Sequence, residues 1–124
     1  MHLNQKLQPL FILLFAAAVS LIFLLWPKSV ASRADALHSF VACLNQKKVV
    51  MYGNDRCENC EAQKKMFGSE FINVNYVNCD FQDAECKKQQ IQHTPTWVLG
   101  DKMAVGVQSF SELANLSSCN NPKI

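Results

Sequence analysis

The chain has 124 residues, 12 of them basic and 10 acidic, for a formal net charge of +2. That length holds one small domain at most, and a near-neutral balance with no basic stripe excludes a nucleic-acid-binding surface. Six cysteines are dense usage for so short a chain, and an even count points to a disulfide framework if the compartment is oxidising.

A short tail, residues 1–9, leads into "LFILLFAAAVSLIFLLW" at 10–26, which has no charge and one polar residue, Ser20. As a helix the run reaches roughly 26 Å, just short of the hydrocarbon thickness of a bilayer. It is long for the apolar core of a cleaved signal peptide, and Trp26 at its end suits a membrane interface. The run is therefore expected to be a transmembrane signal anchor. A cleaved signal peptide is the alternative, with "ADA" at 34–36 as a small-residue site. Either sends the remaining chain across a membrane. Lys6 on one side and Lys28 and Arg33 on the other leave the positive-inside comparison close to a tie. The cysteine count breaks it and places the globular part outside the cytoplasm, periplasmic or at the cell surface.

"PKSVAS" at 27–32 reads as a polar linker. Ser32 with Asp35 resembles a capping box, and Ala36, Leu37, Phe40, Val41 and Leu44 recur at helical spacing, predicting a helix over 33–45. "KVVMY" at 48–52, bounded by Gly53 and Asn54, predicts a buried strand. A helix is expected over 57–68 with Ala62, Met66 and Phe67 as its apolar face, stopping at Gly68. Alternation of Ile72, Val74 and Tyr76 predicts a strand over 72–78. A short helix over 83–91 follows, then a strand entered through Pro95. "GD" at 100–101 turns that strand into a hairpin. Ser109 with Glu112 is a capping box for a last helix through about 116. The order over 33–119 is α-β-α-β-α-β-β-α, an α/β domain with parallel and antiparallel pairing, ahead of a tail at 120–124. A core this small gains from covalent staples.

The chemistry concentrates at Cys57 and Cys60. A strand, a short loop and then CxxC opening a helix puts Cys57 where unpaired backbone N–H groups and the helix dipole favour negative charge. That lowers a thiol pKa. Cys60 lies one turn on, close enough to close a ring with Cys57. A thiolate that attacks a disulfide forms a mixed disulfide, which a second thiol resolves. CxxC alone is a weak signal, because zinc sites use it too. Thr94-Pro95 opens a strand about 35 residues downstream. A cis bond there would hold a tight bend beside the CxxC helix, and the backbone of Thr94 could pair with an extended substrate chain.

"MYGNDRCENCEAQKKMFG", "YVNCDFQDAECKKQQIQHTPTW" and "GVQSFSELANLSSC" resemble the thioredoxin-like domain found fused to, or beside, bacterial and plant homologues of vitamin K epoxide reductase. The resemblance covers about 40–119. It implies a thioredoxin-like fold around a mixed four-stranded sheet and protein thiol–disulfide exchange with no cofactor. It implies Cys57 and Cys60 as the redox pair, Pro95 as a cis-proline and a quinone-linked membrane oxidoreductase as partner. The clients would be proteins with thiols or disulfides. The family pattern has Trp before the first cysteine and Pro-His between the two, where this chain has Arg56, Glu58 and Asn59. Loss of a histidine cation, and Glu58 beside the thiol, predict a less oxidising centre. Arg56 opposes that trend. Before Pro95, His93 and Thr94 replace the usual Gly-Tyr or Ser-Tyr, and His93 reads as a surface loop residue.

Four cysteines remain. Cys79 with Cys86, and Cys43 with Cys119, are expected to form structural disulfides, with a second redox pair at Cys79–Cys86 as the functional alternative. A different class of function is a tethered zinc- or copper-binding domain using Cys57, Cys60, Cys79, Cys86 and His93. The wide Cys79–Cys86 spacing fits zinc knuckles poorly, and no metal site is assigned. Lys64, Lys65, Lys87 and Lys88 read as solvated helix faces. Phe40, Phe67, Phe71 and Tyr76 read as core, and Trp97 as core or groove lining.

Overall fold

The computed structural model describes residues 8–25 and 29–124. The chain divides into two units, Met1–Ala31 and Ser32–Ile124. In the first, helix α1 (Gln8–Leu25) runs for 18 residues, about 27 Å at the standard rise. Among the described residues no helix is long and apolar enough to cross a membrane. Trp26, Pro27 and Lys28, expected to close the span and open the linker, lie outside the described residues, as do residues 1–7 of the expected tail.

Helix α2 (Ser29–Gln46) starts earlier than expected. Residues 29–32 hold no glycine or proline, so nothing stops the helix from extending through them. Most of the expected linker is therefore helical, and Ser32 lies inside the helix rather than capping it. Within the second unit Leu37, Phe40, Val41 and Leu44 are buried, the three- and four-residue spacing of one helical face.

Four strands follow: β1 (Val50–Gly53), β2 (Tyr76–Asn78), β3 (Thr96–Leu99) and β4 (Lys102–Val105). They form one mixed sheet in the order β2-β1-β3-β4. β1 runs parallel to β2, with Met51 opposite Tyr76, and antiparallel to β3, with Met51 opposite Trp97. β3 and β4 form the expected hairpin, closing at Leu99 and Lys102; Gly100 takes the positive φ of 61° that its turn requires.

Side chains alternate across the sheet. Met51 and Trp97 join the main core with Phe67, Leu113 and the α2 face. Tyr52 and Val98 join a smaller cluster with Cys86 on the other side. Helix α3 (Glu58–Phe67) and helix α5 (Phe110–Ser117) contribute Phe67 and Phe110. These rings meet edge to face at 5.2 Å, and Phe110 meets Phe40 at 5.8 Å, a favoured aromatic geometry. Helix α4 (Asp83–Lys88) carries Cys86. It stops short of the expected Ile91 in a turn where Gln90 has φ 57°.

Two further expectations are corrected. Residues 68–73 form a 3-10 helix (Gly68–Asn73) rather than the start of a strand, and Ile72 is 88 % exposed. Only 76–78 pair in the sheet, because Gly68 ends α3 at φ 55° and turns the chain tightly. The buried face of α3 is Cys60, Gln63 and Phe67, while Ala62 is exposed and Met66 is about a third exposed. The capping box at Ser109 and Glu112 is formed from both sides.

Candidate functional site

β1 delivers the chain to a short loop, residues 54–56, pinned from the side. Asp55 N donates to Asp80 Oδ2 at 2.9 Å, and Asn78 Nδ2 donates to Asp55 Oδ1 at 2.7 Å. Cys57 then caps α3 in an extended conformation, φ −107° and ψ 105°. Its sulfur accepts a hydrogen bond from Cys60 N at 3.0 Å. A sulfur at this place satisfies one of the orphan N–H groups of the first turn, and the same donors stabilise negative charge there.

Cys57 and Cys60 are bonded to each other, with Cα atoms 5.1 Å apart. The two sulfurs are not equivalent. Cys60 is fully buried, whereas Cys57 is half-buried. Cys57 borders an open depression of about 370 Å³ lined also by Asp55, Arg56, Glu58, Glu61 and Lys65. A thiol approaching from solvent therefore meets Cys57 first.

The second part of the site comes from the chain entering β3. The Thr94-Pro95 bond is cis. Thr94 is half-buried and its carbonyl oxygen lies 3.4 Å from Cys57 Sγ. Pro95 is buried, and its carbonyl accepts from Gly106 N at 2.7 Å. Thr96 Oγ1 donates back to His93 O at 2.6 Å. The expected residues Cys57, Cys60, Thr94 and Pro95 thus meet at one end of the sheet.

Beneath the pair, Gly53 allows a close approach. A Cβ at this position would stand 2.9 Å from Tyr76 Cε2, 3.0 Å from Tyr76 Oη and 3.2 Å from Cys60 Sγ. Lys64 Nζ lies over the Tyr76 ring at 4.9 Å and is paired with Glu61 at 2.9 Å. Burial pushes the Tyr76 pKa up, and the nearby Lys64 charge offsets part of that rise.

One residue that organises the site carries no local signal. Gln63 is fully buried. Its Oε1 accepts from Trp97 Nε1 at 3.1 Å and from Gln108 N at 2.6 Å, and its Nε2 donates to Gln108 O at 3.0 Å. It joins α3 to β3 and to the loop after β4. Only the pairing of residues far apart in sequence reveals it.

The other four cysteines form two further bridges, and Cys79 follows β2 at the same end of the sheet, its N–H donating to Gly53 O at 2.8 Å. Cys79 is bonded to Cys86, and Cys43 to Cys119, with Cα separations of 5.8 and 6.1 Å. The metal-binding alternative needed Cys57, Cys60, Cys79, Cys86 and His93 together. The structure divides these cysteines between separate bridges and leaves His93 exposed. Among the described residues, no group of three or more His, Cys, Asp or Glu side chains is placed to hold a metal ion.

No protein-family model matches the chain. Among curated proteins, the chain is similar to the thiol-disulfide oxidoreductase LTO1 of Arabidopsis thaliana. The two are 36% identical over 84 residues, which is 60% of this chain and 22% of that protein. The chain therefore spans about a fifth of the length of that relative.

Proposed function

We propose that the chain is a membrane-anchored protein thiol–disulfide oxidoreductase on a thioredoxin-like fold. The observation that carries this reading is the half-buried Cys57 sulfur at the start of α3, bonded to Cys60 and 3.4 Å from the carbonyl beside the cis Pro95. Similarity to a protein named as a thiol-disulfide oxidoreductase supports the same chemistry.

In the oxidising direction a client thiolate attacks Cys57 Sγ. The Cys57–Cys60 bond breaks and its electron pair leaves on Cys60. A second client thiolate then attacks the client's own sulfur in the mixed disulfide and releases Cys57 as thiolate. In the reverse direction Cys57 attacks a client disulfide and Cys60 resolves the adduct. The backbone at Thr94 and Pro95 holds the client segment extended. Cys79–Cys86 and Cys43–Cys119 act as staples.

The anchor is the apolar run at 10–26, and the domain faces a periplasmic or cell-surface space. Three disulfides in one small domain support that placement. A quinone-linked membrane oxidoreductase related to vitamin K epoxide reductase re-oxidises the Cys57–Cys60 pair.

The test mixes the oxidised full-length chain with a reduced dithiol peptide. Reduced Cys60→Ser, offered the disulfide form of the same peptide, is expected to attack it through Cys57, release one peptide thiolate and hold the mixed disulfide, and Cys57→Ser is expected to abolish exchange in either direction. Exchange that persists undiminished in Cys57→Ser would overturn the assignment.

A further inference from the structure

The Tyr76 hydroxyl is buried and has no partner within hydrogen-bond distance among the described residues; the Lys64 ammonium, a donor, acts on its oxygen from further off and leaves its O–H unspent. A polar atom in that state is uncommon in a folded protein and asks for a reason. Its position supplies one. Tyr76 Oη and Cys60 Sγ converge on a single point, the place a Cβ on Gly53 would occupy, at 3.0 and 3.2 Å. No hydrogen bond joins them while Cys60 is held in its bridge to Cys57.

We propose that the Tyr76 hydroxyl is the hydrogen-bond donor that receives the Cys60 sulfur when the Cys57–Cys60 bridge opens. The inference rests on the thiol–disulfide reading above and deepens it. Attack by an incoming thiolate on Cys57 forms one S–S bond and breaks another. The displaced electron pair and the negative charge arrive on Cys60, whose environment is closed to water. A phenol O–H donating to a thiolate is a charge-assisted hydrogen bond, stronger than a neutral one. No proton is transferred in the step; the phenol keeps its own. Burial, the largest influence on Tyr76, favours that protonated form. The charged groups acting on Tyr76 are Lys64, which favours negative charge nearby, and Asp55 and Glu61, which oppose it. Tyr76 thereby lowers the Cys60 thiol pKa and readies it to resolve a mixed disulfide.

The test is single-turnover resolution in the full-length chain. Reduced Cys57 is capped with thionitrobenzoate, and its release by Cys60 is followed from pH 6 to 11. Tyr76→Phe keeps the ring that meets Phe71 at 5.4 Å. It is expected to raise the Cys60 pKa by about one unit. Because nucleophilicity rises with pKa while thiolate fraction falls, release becomes about threefold slower at neutral pH and about threefold faster at the alkaline plateau. A merely structural defect would not move the two limbs in opposite directions. An unchanged profile overturns the inference while leaving the exchange activity standing; absence of any release in the unaltered chain instead counts against the exchange reading. A measurement needing no variant decides the Tyr76 question either way. The Tyr76 ζ-carbon resonance of the reduced chain is expected to follow the Cys60 titration, and a resonance that ignores it overturns the inference.

Discussion

The indole Nε1 of Trp97 and the Oε1 of Gln63 stand 3.1 Å apart inside a core that leaves neither side chain any exposed surface. Gln63 also holds both backbone groups of Gln108. Replacing it with a shorter, apolar side chain strands three polar groups at once. Gln63→Leu is expected to cost about 2–4 kcal/mol of folding stability, read as a lower midpoint in urea denaturation. A midpoint equal to that of the unaltered chain would contradict the network.

Gly53 is constrained by space rather than by backbone angle. Gly53→Ala drives a methyl group against the Tyr76 ring and hydroxyl and against Cys60 Sγ. Overpacking of this kind costs about 1–3 kcal/mol. Thermal melts of the oxidised chain check it. Stability unchanged within error would show that Tyr76 swings aside freely.

The other two bridges close loops of very different length, with sequence separations of 76 for Cys43–Cys119 and 7 for Cys79–Cys86. In the chain-entropy description these contribute about 4.5 and about 2.5 kcal/mol respectively. The double replacement Cys43→Ala with Cys119→Ala should therefore lower the denaturation midpoint more than Cys79→Ala with Cys86→Ala. The reverse order would place the stabilising effect elsewhere.

Much of this arrangement can be read from local chemistry. CxxC after a β-branched run puts Cys57 at a helix start. The Ser109–Glu112 spacing announces a capping box, and Gly100-Asp101 announces a hairpin. What escaped is non-local or masked by a competing pattern. Gln63 reads as one more polar residue on a helix until Trp97 and Gln108 arrive to satisfy it. Ile72 and Val74 alternate like a strand, yet the turn at Gly68 winds 68–73 into a 3-10 helix and leaves Ile72 in water. Ser32 offered a plausible cap, but α2 had already begun at Ser29.

Acid should weaken the start of α5. The backbone N–H and the hydroxyl of Ser109 both donate to Glu112 and hold its carboxyl below the ordinary glutamate pKa. A carboxyl depressed in the folded state stabilises fully above the unfolded pKa, about 4.3, and that contribution is lost as pH falls through the lower folded value. Urea midpoints measured from pH 7 to pH 3 should fall less steeply in Glu112→Gln than in the unaltered chain. Parallel slopes would remove Glu112 from the acid response.

The proposed redox role of Cys57 makes the charges that flank it a test of its potential. Glu58 lies in the first turn of α3, next to Cys57, where a negative side chain opposes a thiolate. Replacing Glu58 with Pro and Asn59 with His removes that charge and adds a cation. The reduction potential against glutathione should rise by roughly 30 mV for each unit by which the Cys57 pKa falls. A potential that stays put or drops would show that Arg56 already dominates the local field.

The Cys43–Cys119 bridge also has a topological effect. A protease that cuts the backbone once anywhere between these two positions produces two pieces that remain covalently joined. On a gel the nicked protein would separate into fragments only after reductant is added. A single scission in the hairpin or in the loop before α4 would leave both halves tethered and able to stay assembled.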